Sequence, residues 1–253
     1  IQKIAITDHS TVEGYCSIQE GLGKGRDRVI PGVELSTLHN ETEYHFLGLG
    51  IDPNNQNLRN ELLDRMKLRE DRIHGVVLKL QEMGFVVSFK DVRKQTKGLL
   101  MEHHVILALM KRYTNRRRVY RELGPEVDVF DIINTYFAAG APAELEKDLF
   151  DPQDAIDIIK TADGKVVLAH PGQKLKTKEE AIEVLGEFKE MGLDGVEAVT
   201  PKHTSKKTKL FLDVAEALGL FVTGGSDFHY VSIPGVFSRK PQTHVLIDLS
   251  LTT

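Results

Sequence analysis

Phe221-Val222-Thr223-Gly224-Gly225-Ser226-Asp227-Phe228-His229 is an apolar run that breaks at two glycines and delivers an Asp and a His spaced by two. In a strand, positions i and i+2 point to the same side, so this spacing predicts a carboxylate and an imidazole aimed at one point, a metal-ligand geometry. The same order recurs along the chain. Ile4-Ala5-Ile6-Thr7-Asp8-His9, Val29-Ile30-Pro31-Gly32-Val33-Glu34 and Val166-Val167-Leu168-Ala169-His170 each end on an acid or imidazole, and Tyr44-His45-Phe46-Leu47 carries one at its start. The resulting donor set is His9, Glu34, His45, His170, Asp227 and His229. Imidazoles mixed with carboxylates suit zinc, manganese or iron, whereas an all-oxygen set favours magnesium or calcium. Any one of these histidines also reads as a hydrogen-bonded strand-end residue. Polar strand ends repeated this often would cost a few kcal/mol each to bury without a cation.

Outward from these segments, strands are expected at roughly 1–7, 29–35, 43–51, 165–169, 195–199, 220–226 and 243–249, alternating with helical patterns in the outer thirds. That alternation argues for an α/β fold of βα units with a largely parallel sheet or barrel. Asp151 and Pro152 start a helix over about 152–162. Thr177 with Glu180 forms a capping box for the next, and a third over about 205–218 stops at Gly219. The middle third has a different pattern. Leu58, Leu62, Met66, Ile73, Val77 and Leu80 mark a long amphipathic helix, and shorter ones follow at about 89–96, 102–113, 115–123 and 128–139, with Phe85-Val86-Val87 a brief strand signal. The expected organisation is a barrel domain over 1–53 and 151–253 with an inserted helical domain over 54–150. Such an insertion, on a loop at the strand ends, would act as a lid or substrate-specificity cap.

A hydrophobic fraction of 41% with 28% charged residues describes an ordinary soluble globule, and no apolar stretch approaches the length of a membrane span. The opening residues resemble no signal or transit peptide, so a cytoplasmic protein without membrane contact is expected. A formal charge of -4 gives no general reason to expect a stable nucleic-acid complex and leaves room only for a local basic patch. Cys16 is the only cysteine, which excludes an internal disulfide and suits a small core-facing position on a helix.

Ile6-Thr7-Asp8-His9, Pro31-Gly32-Val33-Glu34, Leu168-Ala169-His170-Pro171-Gly172 and Gly225-Ser226-Asp227-Phe228-His229, in that order, resemble the PHP (polymerase and histidinol phosphatase) family of metal-dependent phosphoesterases, most closely its branch of nucleotide phosphatases and 5′-to-3′ exoribonucleases. The resemblance implies a distorted (β/α)7-type barrel holding two or three divalent ions, Mn2+, Zn2+ or Fe2+, at its strand ends. It makes Glu34 a bridging carboxylate, His45 and His170 ligands of one of the ions it joins, Asp227 a ligand of the neighbouring ion, and His9 with His229 ligands of a third. Asp8 stands at the family's Thr-Asp-His acid, a catalytic position with an orienting role rather than a metal ligand, and His104 at a His-containing helix start in the inserted domain. The family usually opens with a His-x-His strand that does not precede Ile1 here, so a first β-α unit missing from this chain is expected, and with it incomplete metal loading. The family's Arg before the inserted-domain His is also absent, Met101-Glu102-His103 preceding His104.

No Gly-x-Ser-x-Gly elbow or Walker-type loop appears, so a water activated by the cations is the simplest nucleophile for a phosphate ester. His203 either contacts the phosphate and protonates the leaving oxygen or lies in an exposed loop. Glu197 either supports a ligand or forms a salt bridge at its strand end. Lys111, Arg112, Arg116, Arg117, Arg118 and Arg121 read as a solvated helix face or as a guide for nucleotide or RNA phosphates, Arg112 with His104 being the candidate substrate contacts. The expected substrate is a nucleotide phosphomonoester, another phosphorylated small molecule, or the 5′ end of a short oligonucleotide. The alternatives are a histidinol-phosphate-type phosphatase, which the long helical insertion disfavours, and a non-catalytic metal-stabilised scaffold.

Overall fold

Short runs of valine, isoleucine and leucine build one six-stranded sheet in the computed structural model, which describes residues 3–96 and 98–227. Its strands are β1 (Ile4–Ile6), β2 (Val29–His39), β3 (Thr42–Leu49), β4 (Lys165–Leu168), β5 (Gly195–Val199) and β6 (Phe221–Gly224), neighbours in space in their sequence order. The α/β class is as expected, and the strand expected at 243–249 lies outside the described residues. The expectation of a largely parallel sheet needs correcting at β3, which runs antiparallel to both β2 and β4, while β1–β2, β4–β5 and β5–β6 are parallel. The cause is the link between β2 and β3. Asn40 and Glu41, at φ 46° and 60°, make a two-residue turn with both residues left-handed, the form that closes a twisted hairpin and leaves no length for a crossover.

The chain divides into two units, one running to Leu63 and resuming at Leu149, the other spanning Asp64–Asp148. In the first, α1 (Glu13–Ile18) carries the half-buried Cys16 against the core as expected. Later in the chain come α7 (Pro152–Thr161), α8 (Lys178–Met191) and α9 (Ser205–Leu218). Their limits follow from caps visible in the sequence. The Asp151 side chain accepts from the Gln153 N–H, Thr177 and Glu180 cap each other's backbone, and Gly192 and Gly219 end α8 and α9 in the left-handed region. Phe46, Phe188 and Phe211 fill the space between helices and sheet, each contributing about 1.5–3 kcal/mol by burial.

The second unit is helical. α2 (Gln56–Glu82) starts in the first unit and supplies Ile73, Val77 and Leu80 to this second core. It is followed by α3 (Phe89–Arg93), α4 (Glu102–Lys111), α5 (Tyr113–Leu123) and α6 (Val129–Tyr136). Phe85-Val86-Val87 forms no strand. Val86 has its N–H and carbonyl bonded instead by the buried Asn115 side chain of α5, at 3.0 and 2.9 Å, so a side-chain amide does the work of a partner strand. Among the described residues no helix is long and apolar enough to cross a membrane.

Candidate metal centre

Strand register brings the expected ligands together within the first unit. Beyond the end of β1, the Glu34 N–H donates to the Asp8 carbonyl (3.0 Å) and the Ser10 N–H to the Glu34 carbonyl (2.9 Å), which sets His9 beside Glu34. On the other flank Glu34 pairs with Leu47, and His45, two residues from Leu47, shares its face as the diagonal neighbour. The Ala169 N–H donates to the His45 carbonyl (2.9 Å), delivering His170 just past the end of β4. Glu34, only 5% exposed, is thus ringed by imidazoles: His45 Nδ1 at 2.7 Å, His170 Nε2 at 3.5 Å and His9 Nε2 at 3.6 Å. The ligand atoms of His9, Glu34 and His45 lie within 4.8 Å of one another, and so do those of Glu34, His170 and Asp227. Glu34 belongs to both groups.

The electrostatics of this cluster call for positive charge. Burial opposes ionisation of Glu34, but hydrogen bonds from His170 and His45 and the charges of His9 and His45 outweigh it and hold the carboxyl well below the usual range. Burial likewise opposes the charged form of His45, yet contact with Glu34 and Glu43 pushes it up to about 9. His170 moves down, burial outweighing its contact with Glu34. Glu197 is pushed up to about 7, first by burial and then by the nearby charge of Glu34, although its carboxylate accepts the His170 N–H at 2.9 Å. Thr223, at the register position paired with Glu197, has a buried hydroxyl with no hydrogen-bond partner. Three imidazoles, two carboxylates and the unsatisfied Thr223 hydroxyl fit divalent cations.

Several expected residues are placed differently. Asp227 does not lie on the strand: β6 ends at Gly224, and Asp227 has φ 46°, so the i, i+2 argument fails and a left-handed turn aims the carboxylate instead. His229 lies outside the described residues. Asp8, by contrast, is placed as expected, outside both ligand groups. Its carboxylate packs on α1, where a Cβ at Gly14 would come 1.7 Å from Oδ2, and it orients Glu34 through the main chain. His203 is neither exposed nor available as an acid. Nδ1 donates to the Ala198 carbonyl and Nε2 accepts the Gly172 N–H, both at 2.9 Å, so the neutral ring ties the segment after β4 to the end of β5. Glu197 forms no salt bridge among the described residues. Its carboxylate instead accepts the His170 N–H, the contact that a ligand-supporting residue would make.

Lys202, which the sequence did not single out, is ion-paired with Asp227, and its charge is felt by Glu197. In the second unit, His104 accepts the Met101 N–H through Nδ1 (3.0 Å), closing the first turn of α4, and is driven down to about 4 by burial and by His103. Arg112 faces Asp91 at 3.8 Å.

No family model matches the chain. The phosphoribosyl 1,2-cyclic phosphate 1,2-diphosphodiesterase of Eggerthella lenta is 26% identical over 245 residues, covering 95% of this chain and 86% of that protein. The 5′-3′ exoribonuclease Rnm of Escherichia coli is 25% identical over 229 residues, covering 89% and 74%. Among solved structures, a protein from Bifidobacterium adolescentis described as a metal-dependent phosphoesterase superposes with a TM-score of 0.71 at 22% identity, over 94% of this chain and 81% of that one. Likeness along nearly the whole chain to proteins named as a phosphodiesterase and an exoribonuclease, with the ordered strand-end motifs converging on one carboxylate, supports a metal-dependent phosphoesterase similar to the PHP family.

Proposed function

We propose that the chain hydrolyses a phosphate ester, a nucleotide phosphomonoester or the 5′ end of a short oligonucleotide, with Mn2+, Zn2+ or Fe2+ held by His9, Glu34, His45, His170 and Asp227. The observation that carries this reading is the shared position of Glu34 in two groups of ligand atoms, each within 4.8 Å. When bound, such cations lower the pKa of a coordinated water to about 7 and offset charge on the phosphoryl oxygens. The chain's own part is positioning. Glu34 carries its charge between the imidazoles, Glu197 fixes the main chain at His170, and the His203 ring anchors the loop that follows. Lys202 is the nearby ammonium for a phosphoryl oxygen once a cation takes over the Asp227 carboxylate. The two relatives act on ribose-phosphate compounds according to their names, which supports a nucleotide or oligonucleotide substrate.

Turnover of an aryl phosphate by purified protein with and without Mn2+ tests the reading, together with Asp227→Asn, which keeps the shape and removes the charge. Metal-dependent hydrolysis abolished by the substitution, with the far-UV circular dichroism retained, is expected. Full activity in the variant would overturn the ligand assignment, and absence of metal-dependent turnover on aryl phosphate, mononucleotides and 5′-phosphorylated oligonucleotides alike would favour the scaffold reading.

A further inference from the structure

α5 begins Tyr113-Thr114-Asn115-Arg116-Arg117-Arg118, and its two sides differ sharply. Asn115 and Val119 are buried, Val119 in the helical core, whereas Tyr113, Arg117 and Arg121 recur every fourth residue on the opposite, exposed sector. Tyr113 is 66% exposed, so its ring face is open to solvent beside the arginines. Arg118 is immobilised beside this sector. Its Nε donates to Glu122 (2.7 Å), its Nη1 reaches the Met83 carbonyl, and its guanidinium lies 4.3 Å over the Phe85 ring. Glu122 is also taken by the Tyr136 hydroxyl. Arg117 and Arg121 form no salt bridge among the described residues, so their charges face outward. Tyr113, Thr114, Arg117, Arg118 and Arg121 line a concavity of about 520 Å³.

We propose that this face of α5 is a docking track for a single-stranded nucleic acid, a base stacking on Tyr113 while consecutive phosphates engage Arg117 and Arg121. Side chains one helical turn apart stand roughly 6 Å from each other along the axis, within reach of neighbouring phosphates of one strand. An acidic peptide would satisfy the guanidiniums and leave the aromatic face unused. A duplex would keep its bases stacked away from Tyr113. An aromatic ring next to exposed arginines matches an unstacked strand instead. With a net charge of -4 on the chain the attraction is local, so it involves few phosphates. The proposal rests on the phosphoesterase reading for the fate of the bound strand, but not for the binding itself.

The test is fluorescence anisotropy of a labelled, nuclease-resistant single-stranded RNA of about 12 nucleotides with the Mn2+-supplemented full chain, across a salt series. A duplex of equal length and a poly-glutamate peptide serve as competitors. Arg117→Ala with Arg121→Ala is expected to weaken binding at least tenfold and to flatten the log–log salt slope by about 1.4, two phosphate contacts at about 0.7 each. Arg117→Lys with Arg121→Lys should restore the slope. Tyr113→Ala should weaken binding at least fivefold with the slope unchanged. No binding by the parent chain, equal competition by peptide or duplex, or variants that bind like the parent would each overturn the proposal. Turnover of aryl phosphate, mononucleotides and 5′-phosphorylated oligonucleotides by the parent chain is measured separately, so a protein inactive on all three that still loses RNA binding in the variants would refute the catalytic reading and leave this surface standing.

Discussion

Replacing Glu197 by Gln isolates the energetic strain built into the metal centre. Glu197 is 3% exposed, accepts the His170 N–H at 2.9 Å, and is pushed from the ordinary 4.5 to about 7 by burial and by Glu34. A carboxyl displaced upward binds its proton more tightly in the folded than in the unfolded chain. Its ionisation therefore costs nothing below pH 4.5, costs progressively more from there to pH 7, and costs a constant amount above, about 3 kcal/mol. The glutamine carbonyl can still accept the His170 N–H, and the unpartnered Thr223 hydroxyl, at the paired register position, is an acceptor for the new amide. In metal-free protein, urea unfolding of Glu197→Gln and wild type should agree within about 0.5 kcal/mol near pH 4.5, and the variant should be more stable by up to about 3 kcal/mol at pH 8. Added Mn2+ should narrow that gap, because a cation beside Glu34 favours the ionised Glu197. A difference that does not change between pH 4.5 and pH 8, or a variant less stable at pH 8, would refute the reasoning.

His45, pushed up to about 9, carries a proton at pH 7 that a cation must displace, so apparent metal affinity should climb up to about tenfold per pH unit and level off near pH 9. Calorimetry in buffers of different ionisation enthalpy should record about one proton released at pH 7, and none would contradict the assignment. The same proton stabilises the metal-free fold fully below pH 6.5, and that contribution is lost as pH rises through 9. His203→Ala should cost about 1–3 kcal/mol by freeing the Gly172 N–H and Ala198 carbonyl, and should leave the shape of the pH–rate profile intact; loss of its alkaline limb would make His203 the acid after all. Lys202→Met should raise KM for an aryl phosphate about tenfold or more while tightening metal binding, since the ammonium competes for Asp227; an unchanged KM would remove Lys202 from the substrate site.

What could be read from the letters was what local chemistry determines. Asp151-Pro152, Thr177 with Glu180, and the terminal Gly219 fixed helix limits that the structure reproduces, because caps act within a few residues. The five candidate ligands within the described residues are legible too, since each ends or begins an apolar run and a sheet gathers such ends. The antiparallel course of β3 was not seen because Asn40-Glu41 lacks the glycine that usually marks a tight hairpin. Asp227 lies with Glu34 and His170, but not through the strand spacing that its sequence suggests. The strand stops at Gly224, and the packing of Gly225 against Glu197, where a Cβ would lie 1.7 Å from Oε1, belongs to tertiary structure. Lys202 and the double tether of His203 depend on contacts with residues distant in sequence or on the fold of a loop, which no spacing rule encodes.

The central claim is that one carboxylate, Glu34, joins two cation sites. Anomalous diffraction at the manganese edge from crystals grown with Mn2+ tests it directly. Two peaks are predicted, one among His9, Glu34 and His45 and one among Glu34, His170 and Asp227, both within bonding distance of Glu34. Density confined to the surface, with Glu34 still bonded to a protonated His45, would contradict the account.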